Sequence, residues 1–191
     1  MFTSLLPSLR ILVALSVLTG VVYPLATWGI AQLAFPGAAN GSLIVQNGKV
    51  VGSALIGQPF DDPKYFWSRP SATSPQPYNG AASSGSNLGP RNPALADAVS
   101  ARIKVLRAAD PSNSAAVPGD LITTSASGLD PQISPAAAQF QLERVAKSRG
   151  MPIDAVRALV ERNTQGRTLG LLGEPRVNVL MLNMALDSAP K

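Results

Sequence analysis

The sequence contains no cysteine and no histidine, and these two absences remove most of the side chains that carry enzyme chemistry. Without cysteine the chain can form no disulfide, no thiolate nucleophile and no zinc–thiolate site. Without histidine it has no Ser-His-Asp triad, no imidazole base and no histidine-ligated metal. The eleven carboxylates are scattered, and only Asp61 and Asp62 are adjacent, so we predict no metal site and no catalytic residue.

Charge of either sign is also sparse. The chain has 16 Lys and Arg against 11 Asp and Glu, a net charge of +5. Nucleic-acid-binding proteins concentrate their basic residues on one face, and this small excess is spread too thinly along the chain for that. We therefore expect no nucleic-acid partner.

No charged residue lies between Arg10 and Lys49, and most of that gap is apolar. Residues 9–35 read LRILVALSVLTGVVYPLATWGIAQLAF. As a helix they would extend roughly 40 Å, enough to cross the hydrocarbon core of a bilayer with some tilt. We predict a transmembrane signal anchor over residues 9–35, preceded by a flank of residues 1–8. A kink is expected at Pro24, which a membrane span tolerates better than a soluble helix does.

Two other interpretations of this apolar segment stay open. One is a cleaved signal peptide, since Gly37 and Ala39 form a small-x-small site, although the apolar region is about twice the usual length. The other is the buried core helix of a soluble protein. The amino terminus and Arg10 precede the span and only Lys49 follows it closely. The positive-inside rule therefore favours a cytoplasmic N-terminus and an external soluble domain.

The remainder of the chain predicts a linker over residues 36–47 and one mixed domain over residues 48–191. Two short apolar runs, LIVQ and KVVGSALIGQ, flank Asn47-Gly48 and indicate a β-hairpin. Residues 71–90 are rich in glycine, proline and serine. We expect them to be irregular, with disorder as the alternative.

Helix signals dominate the C-terminal half. Asn92-Pro93 and Ser134-Pro135 each place a capping residue before a proline, and Gly150 is expected to end the second helix. A third helix is predicted over residues 154–163. A last helix is predicted after Pro175, where the alternating RVNVL also permits a strand. The fold class is thus α+β, with one transmembrane helix and a soluble domain of a small sheet or hairpin and about four helices.

Several separated segments carry a resemblance to a known family. They are, in chain order, GSALIGQPF (52–60), YFWSRPSA (65–72), YNGAASSGSNLGP (78–90), SASGLDPQISPAAAQFQLERVA (125–146) and GEPRVNVLMLNMALD (173–187). Together with the single N-terminal span, they make the chain resemble the C subunit of the Kdp high-affinity potassium-transporting P-type ATPase of bacteria.

The resemblance implies a place in a complex in the bacterial plasma membrane. Its partners would be a channel-like potassium-translocating subunit, an ATP-hydrolysing P-type subunit, a small single-span subunit and the lipid bilayer. The family's C subunit is a non-catalytic assembly factor and catalytic chaperone, which raises the ATP affinity of the pump subunit. No cofactor of its own is implied, and ATP would be met only in a ternary complex with the pump subunit.

The resemblance also implies that Gln141 contacts the nucleotide. An amide can hydrogen-bond a ribose hydroxyl, and Arg144 lies one turn along the same helix, where it could meet a phosphate. Alternatively, Gln141 flanks an apolar stripe and satisfies a backbone group. A domain outside the cell meets no ATP, so a nucleotide site and an external domain exclude each other. We favour the external domain, with ATP affinity raised indirectly.

The segment YFWSRP is the best candidate for contact with a partner, because aromatic residues and arginine are enriched in interface hot spots. The residues concerned are Tyr65, Phe66, Trp67 and Arg69, and packing onto the domain's own core is the alternative. Residues 125–131 (SASGLDP) are rich in hydroxyls, but we interpret them as a scaffold, with Gly128 in a tight left-handed turn.

Two further functions stay open. The first is an anchored external Ser–Lys hydrolase, which would use Ser125 or Ser127 with Lys147. The second is a secreted binding module released by cleavage at Ala39. The glycine-rich SGSNLG (84–89) lacks a following Gly-Lys-Ser/Thr, so we exclude a P-loop.

Overall fold

The computed structural model describes residues 5–189. Half of the predicted flank (1–8) and the last two residues of the predicted soluble domain therefore lie outside the described residues. Contacts within the chain divide it into two units, between Ser53 and Ala54. The limits predicted for the linker and for the soluble domain stay predictions.

The first unit begins with a long apolar helix. Helix α1 covers Leu5–Val17 and α2 covers Tyr23–Ala34, with a π-helical turn over Leu18–Val22 between them. The continuous stretch Leu5–Ala34 is long and apolar enough to cross a membrane. The predicted single apolar helix is confirmed, and the bounds of the membrane anchor within it, residues 9–35, stay a prediction.

The π-helical turn ends at Val22, two residues before Pro24, where the sequence predicts a kink. Proline has no N–H, and its ring crowds the carbonyl four residues earlier, here that of Gly20. In the wider turn the Tyr23 N–H bonds to the Leu18 carbonyl, five residues earlier. The helix thus accommodates the proline by local widening and continues to Ala34.

A short helix, α3 (Pro36–Ala39), follows the span. It leads into an antiparallel hairpin of β1 (Leu43–Gln46) and β2 (Lys49–Ser53). The turn residues Asn47 and Gly48 have φ of 51° and 73°. Positive φ at both positions is what a type I′ hairpin turn requires, so the hairpin predicted from Asn-Gly is confirmed.

Over its described residues, 54–189, the second unit combines four α-helices with a small sheet. The helices are α4 (Pro93–Ala109), α5 (Pro135–Arg149), α6 (Ile153–Arg162) and α7 (Val179–Asp187), and a 3₁₀ turn covers Gly119–Leu121. The strands are β3 (Gln132–Ile133), β4 (Thr164–Gln165) and β5 (Arg176–Asn178), antiparallel in the order β3-β5-β4. The predicted α+β class is confirmed.

Side-chain caps fix where three of these helices begin. Asn92, Ser134 and Asn178 each accept a hydrogen bond from a backbone N–H in the first turn. These N–H groups have no partner within the helix, so each cap satisfies a donor that would otherwise be unpaired. Gly150 ends α5 with φ of 64°, the left-handed conformation that glycine adopts without strain.

The RVNVL stretch, predicted as either a strand or the start of a helix, forms both, one after the other. Residues 176–178 pair as the central strand β5, and α7 starts at Val179. Asn178 makes the change possible, because its backbone lies in the strand while its side chain caps the helix.

The core of the second unit lies between α5, α6, α7 and the sheet. Helix α5 contributes the most buried residues of any helix, including Ala137, Leu142 and Val145. Residues from outside the helices and strands complete the core, and Phe66 and Trp67 are the largest of them. An irregular segment therefore supplies part of the hydrophobic interior.

The irregular segment 54–90 is held by the 125–131 loop. The loop's carbonyls accept hydrogen bonds from Gly57 N–H (to Leu129), Ser71 hydroxyl (to Gly128) and Ser84 N–H (to Ser127). Gly128 has φ of 68°, and a Cβ added there would lie 2.5 Å from the Ser84 carbonyl oxygen. The loop is a scaffold, as interpreted from the sequence, and Gly128 is the predicted left-handed turn.

Candidate functional site

The predicted nucleotide contact, Gln141, faces the interior of the second unit. Its side chain is 1% exposed. The amide oxygen accepts from the Trp67 backbone N–H at 2.8 Å, and the amide nitrogen donates to the Trp67 carbonyl at 3.1 Å. The amide therefore pairs with the backbone of Trp67 as a neighbouring β-strand would.

Both remaining bonds of the same amide are also made within the chain. The oxygen accepts a second bond from Arg144 Nη2 at 2.7 Å, and the nitrogen donates to the Ala137 carbonyl at 3.2 Å. A primary amide has two N–H donors and two acceptor lone pairs, and Gln141 uses all four. Contact with a ligand would require at least one of these bonds to break.

A second amide holds the preceding residue in the same way. Asn183 of α7 accepts from the Phe66 N–H and donates to the Phe66 carbonyl, each at 2.9 Å. We name Gln141 and Asn183, with the backbone of residues 66–67, the amide clasp. The clasp satisfies backbone groups that no sheet reaches, and a buried unpaired group would be strongly destabilising.

Two arginines surround the indole of Trp67. The guanidinium carbons of Arg144 and Arg102 lie 4.4 and 5.5 Å from the ring centroid, within the range of cation–π attraction. Arg144 also donates to the Pro63 carbonyl, and Arg102 donates to the Ser68 and Leu121 carbonyls. Both side chains thus fasten the segment around Trp67 to the helices.

Burial governs the electrostatics of these arginines. Loss of solvent around its guanidinium lowers the pKa of Arg144 to about 10, and burial also lowers the pKa of Arg102. Arg144 bonds to carbonyl and amide oxygens and to no carboxylate among residues 5–189. It keeps its charge at neutral pH, but it is nearly inaccessible to a phosphate from solution.

The four predicted partner-contact residues separate into two pairs. Phe66 and Trp67 lie in the core of their own unit, as the alternative interpretation expects. Tyr65 and Arg69 are half-buried. Tyr65 donates to Asp187, and Arg69 donates to Asp130 and to the Thr124 carbonyl. Their role toward a partner stays a prediction, and only these two offer accessible surface for it.

The predicted Ser–Lys pair is not assembled in the part of the chain that the structure describes. Ser125 is buried, whereas Lys147 is exposed on α5. The Ser127 hydroxyl oxygen accepts from the Leu129 N–H and so braces the 125–131 loop. No hydrogen bond joins Lys147 to either serine over residues 5–189, so the pair that a Ser–Lys mechanism requires is not formed in this structure.

Sequence reasoning missed Asn183 and Arg102. Asn183 interrupts the apolar run VLMLNMAL of α7, and a buried polar side chain in such a run must find a hydrogen-bond partner. That interruption was the available signal, but the identity of the partner, 117 positions earlier, was not readable from it. Arg102 lies on α4 and gave no distinguishing signal.

Comparison of the sequence with known proteins finds one family and many close relatives. The family model described as "KdpC: K+-transporting ATPase, c chain" matches residues 5–188. The chain is 62% identical over 189 residues to the "Potassium-transporting ATPase KdpC subunit" of Sorangium cellulosum, covering 99% of this chain and 100% of that one. The protein of the same name from Herpetosiphon aurantiacus is 64% identical, over 95% of this chain and 94% of that one. The one from Dechloromonas aromatica is 61% identical, over 100% of both chains.

Proposed function

This chain belongs to the KdpC family of potassium-transporting ATPase subunits, and on that premise we propose that it raises the pump's ATP affinity without contacting the nucleotide. KdpC is an accessory subunit of the potassium uptake complex and not its catalytic subunit. The apolar helix Leu5–Ala34 fits a single-pass membrane subunit of such a transporter. The proposal concerns how this subunit assists the complex.

The amide clasp is the observation that carries the proposal. Gln141 uses its whole hydrogen-bonding capacity inside the chain, and Arg144 is buried beside it. For a nucleotide to reach either side chain, the backbone of residues 63–67 would have to withdraw from α5. That withdrawal would expose Phe66 and Trp67 and break the clasp. The same two residues therefore support a structural role better than direct contact with ATP.

An indirect effect needs only unequal binding to two states of the pump. A subunit that prefers the conformation with high ATP affinity increases the population of that conformation. A tenfold gain in apparent affinity corresponds to a preference of about 1.4 kcal/mol. An interface of ordinary size can supply such a preference, and no nucleotide needs to touch this chain.

The proposal includes an orientation and a set of partners. The N-terminus is cytoplasmic and the domain after the span is external, in the plasma membrane of a bacterium. The chain assembles with the channel-like potassium-translocating subunit, the ATP-hydrolysing P-type subunit and the small single-span subunit, and it stabilises their complex. Its influence on ATP binding is then exerted through contacts inside the membrane and outside the cell.

Photolabelling with an azido-ATP analogue tests the indirect mechanism. The purified four-subunit complex is labelled with and without excess unlabelled ATP, and the labelled polypeptides are separated by mass. We expect competable label on the ATP-hydrolysing subunit and none on this chain. Competable label on α5 of this chain would contradict the proposal and would support direct contact by Gln141 and Arg144.

A further inference from the structure

The π-helical turn lies at the middle of the apolar helix. Thr19 and Gly20 are the two central residues of the stretch Leu5–Ala34. If the anchor starts at residue 9, as predicted, residues 9–18 still place about 15 Å of helix before Thr19. The turn therefore lies well inside the hydrocarbon core. Single π-helical turns inside α-helices are frequent at functional sites.

The turn leaves the Thr19 carbonyl without a donor from its own helix. In an α-helix this carbonyl would accept from the Tyr23 N–H, but that N–H bonds to the Leu18 carbonyl instead. In the wider π-helical pattern the donor would be residue 24, and Pro24 has no N–H. Hydroxyl side chains bond to carbonyls three or four residues before them, and no serine or threonine stands at positions 22 and 23.

A backbone carbonyl without a donor is strongly destabilising inside a membrane. Carbonyls freed by a proline are satisfied there by neighbouring helices, by hydroxyls of the same helix or by ordered water. The sequence excludes a hydroxyl of the same helix for Thr19. A water molecule held there would need donors of its own, and lipid chains have none. The remaining donor is a polar side chain on another transmembrane helix.

The next residue leaves room for such a helix. Gly20 has no side chain, and a Cβ added there would meet nothing within 4 Å. Small residues let two membrane helices approach closely enough for polar groups to bond between them. Around the glycine, Leu18, Val21 and Val22 are exposed and offer apolar contact. This face thus combines an unpaired acceptor, a gap beside it and an apolar border.

We propose that the Thr19 carbonyl accepts a hydrogen bond from a polar side chain on a transmembrane helix of a companion subunit, which packs against Gly20. This inference rests on the proposed function, because it requires the span to lie in the membrane beside the other subunits of the potassium-transporting ATPase. Membership of a family of accessory subunits favours a companion subunit over a second copy of this chain. The contact does not depend on how ATP affinity is raised.

A photocrosslink identifies what lies against this face. The Thr19 carbonyl points along the helix toward residue 23, so Tyr23→p-benzoylphenylalanine places an aromatic probe beside it. Leu25→p-benzoylphenylalanine, about 200° further around α2, is the matched control. In the complete complex in native membranes, we expect the Tyr23 variant to crosslink to another subunit in higher yield than the Leu25 variant. A homodimer, a lipid adduct only, no product, or equal yields would each overturn the proposal.

A backbone ester tests the acceptor itself. Gly20→glycolic acid turns the Thr19 carbonyl into an ester carbonyl, which is a weaker acceptor, and leaves every side chain unchanged. Gly29→glycolic acid makes the same exchange after Trp28, whose carbonyl lies in regular α-helix. Both full chains are made by cell-free translation and bound to a complex that lacks this subunit. We expect Kd to rise at least about threefold for the first and less than about twofold for the second. Equal Kd values would overturn the proposal.

Pro24→Ala separates loss of the contact from damage to the helix. Alanine restores an N–H and permits regular α-helix, in which Tyr23 donates to the Thr19 carbonyl. We expect helix content by circular dichroism at least equal to that of wild type, with Kd raised at least about threefold. Pro36→Ala, at the start of α3, is the control and should change Kd less than about twofold, because an N–H there has no partner within the helix. Wild-type affinity of Pro24→Ala would overturn the proposal. The azido-ATP experiment can fail while these succeed, and the reverse, so the two proposals are separable.

Discussion

The side-chain amide of Gln141 forms hydrogen bonds with both the N–H and the carbonyl of Trp67, 74 positions earlier in the chain. The side chain of this helical glutamine makes the backbone hydrogen bonds that a neighbouring β-strand would otherwise make to the irregular segment. Helix α5 and the nearby arginines Arg102 and Arg144 are therefore joined by hydrogen bonds to the residues around Trp67. The predictions below test how much of the fold and function depends on it.

The first prediction concerns Gln141 itself. Gln141→Ala leaves the Trp67 N–H and carbonyl buried without partners, so we expect the free energy of unfolding to fall by about 2–4 kcal/mol. Gln139→Ala, on an exposed face of the same helix, is the matched control and should change it by less than about 1 kcal/mol. Chemical unfolding of the full chain in detergent, followed by near-ultraviolet circular dichroism, measures both. Equal stability of the two variants would show that the clasp is unimportant.

The second prediction separates backbone conformation from steric crowding. Gly128 and Gly150 have nearly the same φ, 68° and 64°, but an added Cβ meets the Ser84 carbonyl at 2.5 Å in the first and nothing within 4 Å in the second. Gly150→Ala should therefore lower the free energy of unfolding only by the cost of a positive φ at a residue with a Cβ, about 1 kcal/mol. Gly128→Ala should lower the free energy of unfolding at least about twice as much, because residues 71–84 must also shift away from the 125–131 loop. Similar unfolding midpoints for the two variants would contradict this.

The third prediction concerns pH. Burial raises the pKa of the Tyr78 phenol above its ordinary value of 10.0, and its hydroxyl donates to the Arg69 carbonyl. The folded state then holds the phenolic proton more tightly than the unfolded state does. The stabilisation from this proton is fully present below pH 10 and is lost as pH rises through the folded-state pKa.

Tyr78→Phe removes this titration and tests it. The variant should be less stable than wild type at pH 8, by about 1 kcal/mol for the lost hydrogen bond, and the difference should shrink as pH rises above 10. Tyr65→Phe is the comparison variant: burial and the hydrogen bond to Asp187 also raise the pKa of Tyr65, so its difference from wild type should likewise shrink above pH 10. A constant difference between wild type and Tyr78→Phe from pH 8 to 11 would rule out the shifted pKa.

The local features of this fold were readable from the sequence, because their causes are local. Asn92 and Ser134 precede prolines at helix starts, Gly150 permits the left-handed end of α5, and Asn47-Gly48 needs only its own backbone preferences to form a turn. The apolar span was equally clear, since it depends on composition and length alone.

The features that depend on distant residues were not readable. Strands β3 and β4 are two residues long, too short for an alternating pattern, and although RVNVL permitted the strand β5, its pairing with them joins parts of the chain far apart in sequence. The amide clasp presents the same difficulty, because nothing near Gln141 specifies Trp67. The motif QFQLERVA suggested a ligand contact, whereas the partner found in the structure is this chain's own backbone.

Measuring on which side of the membrane the soluble domain lies tests the proposed indirect mechanism most directly. The chain has no cysteine of its own, so Ser188→Cys introduces a single thiol at an exposed position after α7. Intact cells are treated with a membrane-impermeant thiol reagent, with Ser4→Cys before the span as the opposite-side control. We predict labelling of Ser188→Cys and none of Ser4→Cys until the cells are broken. Labelling of Ser4→Cys alone in intact cells would place the domain with ATP in the cytoplasm and contradict the indirect mechanism.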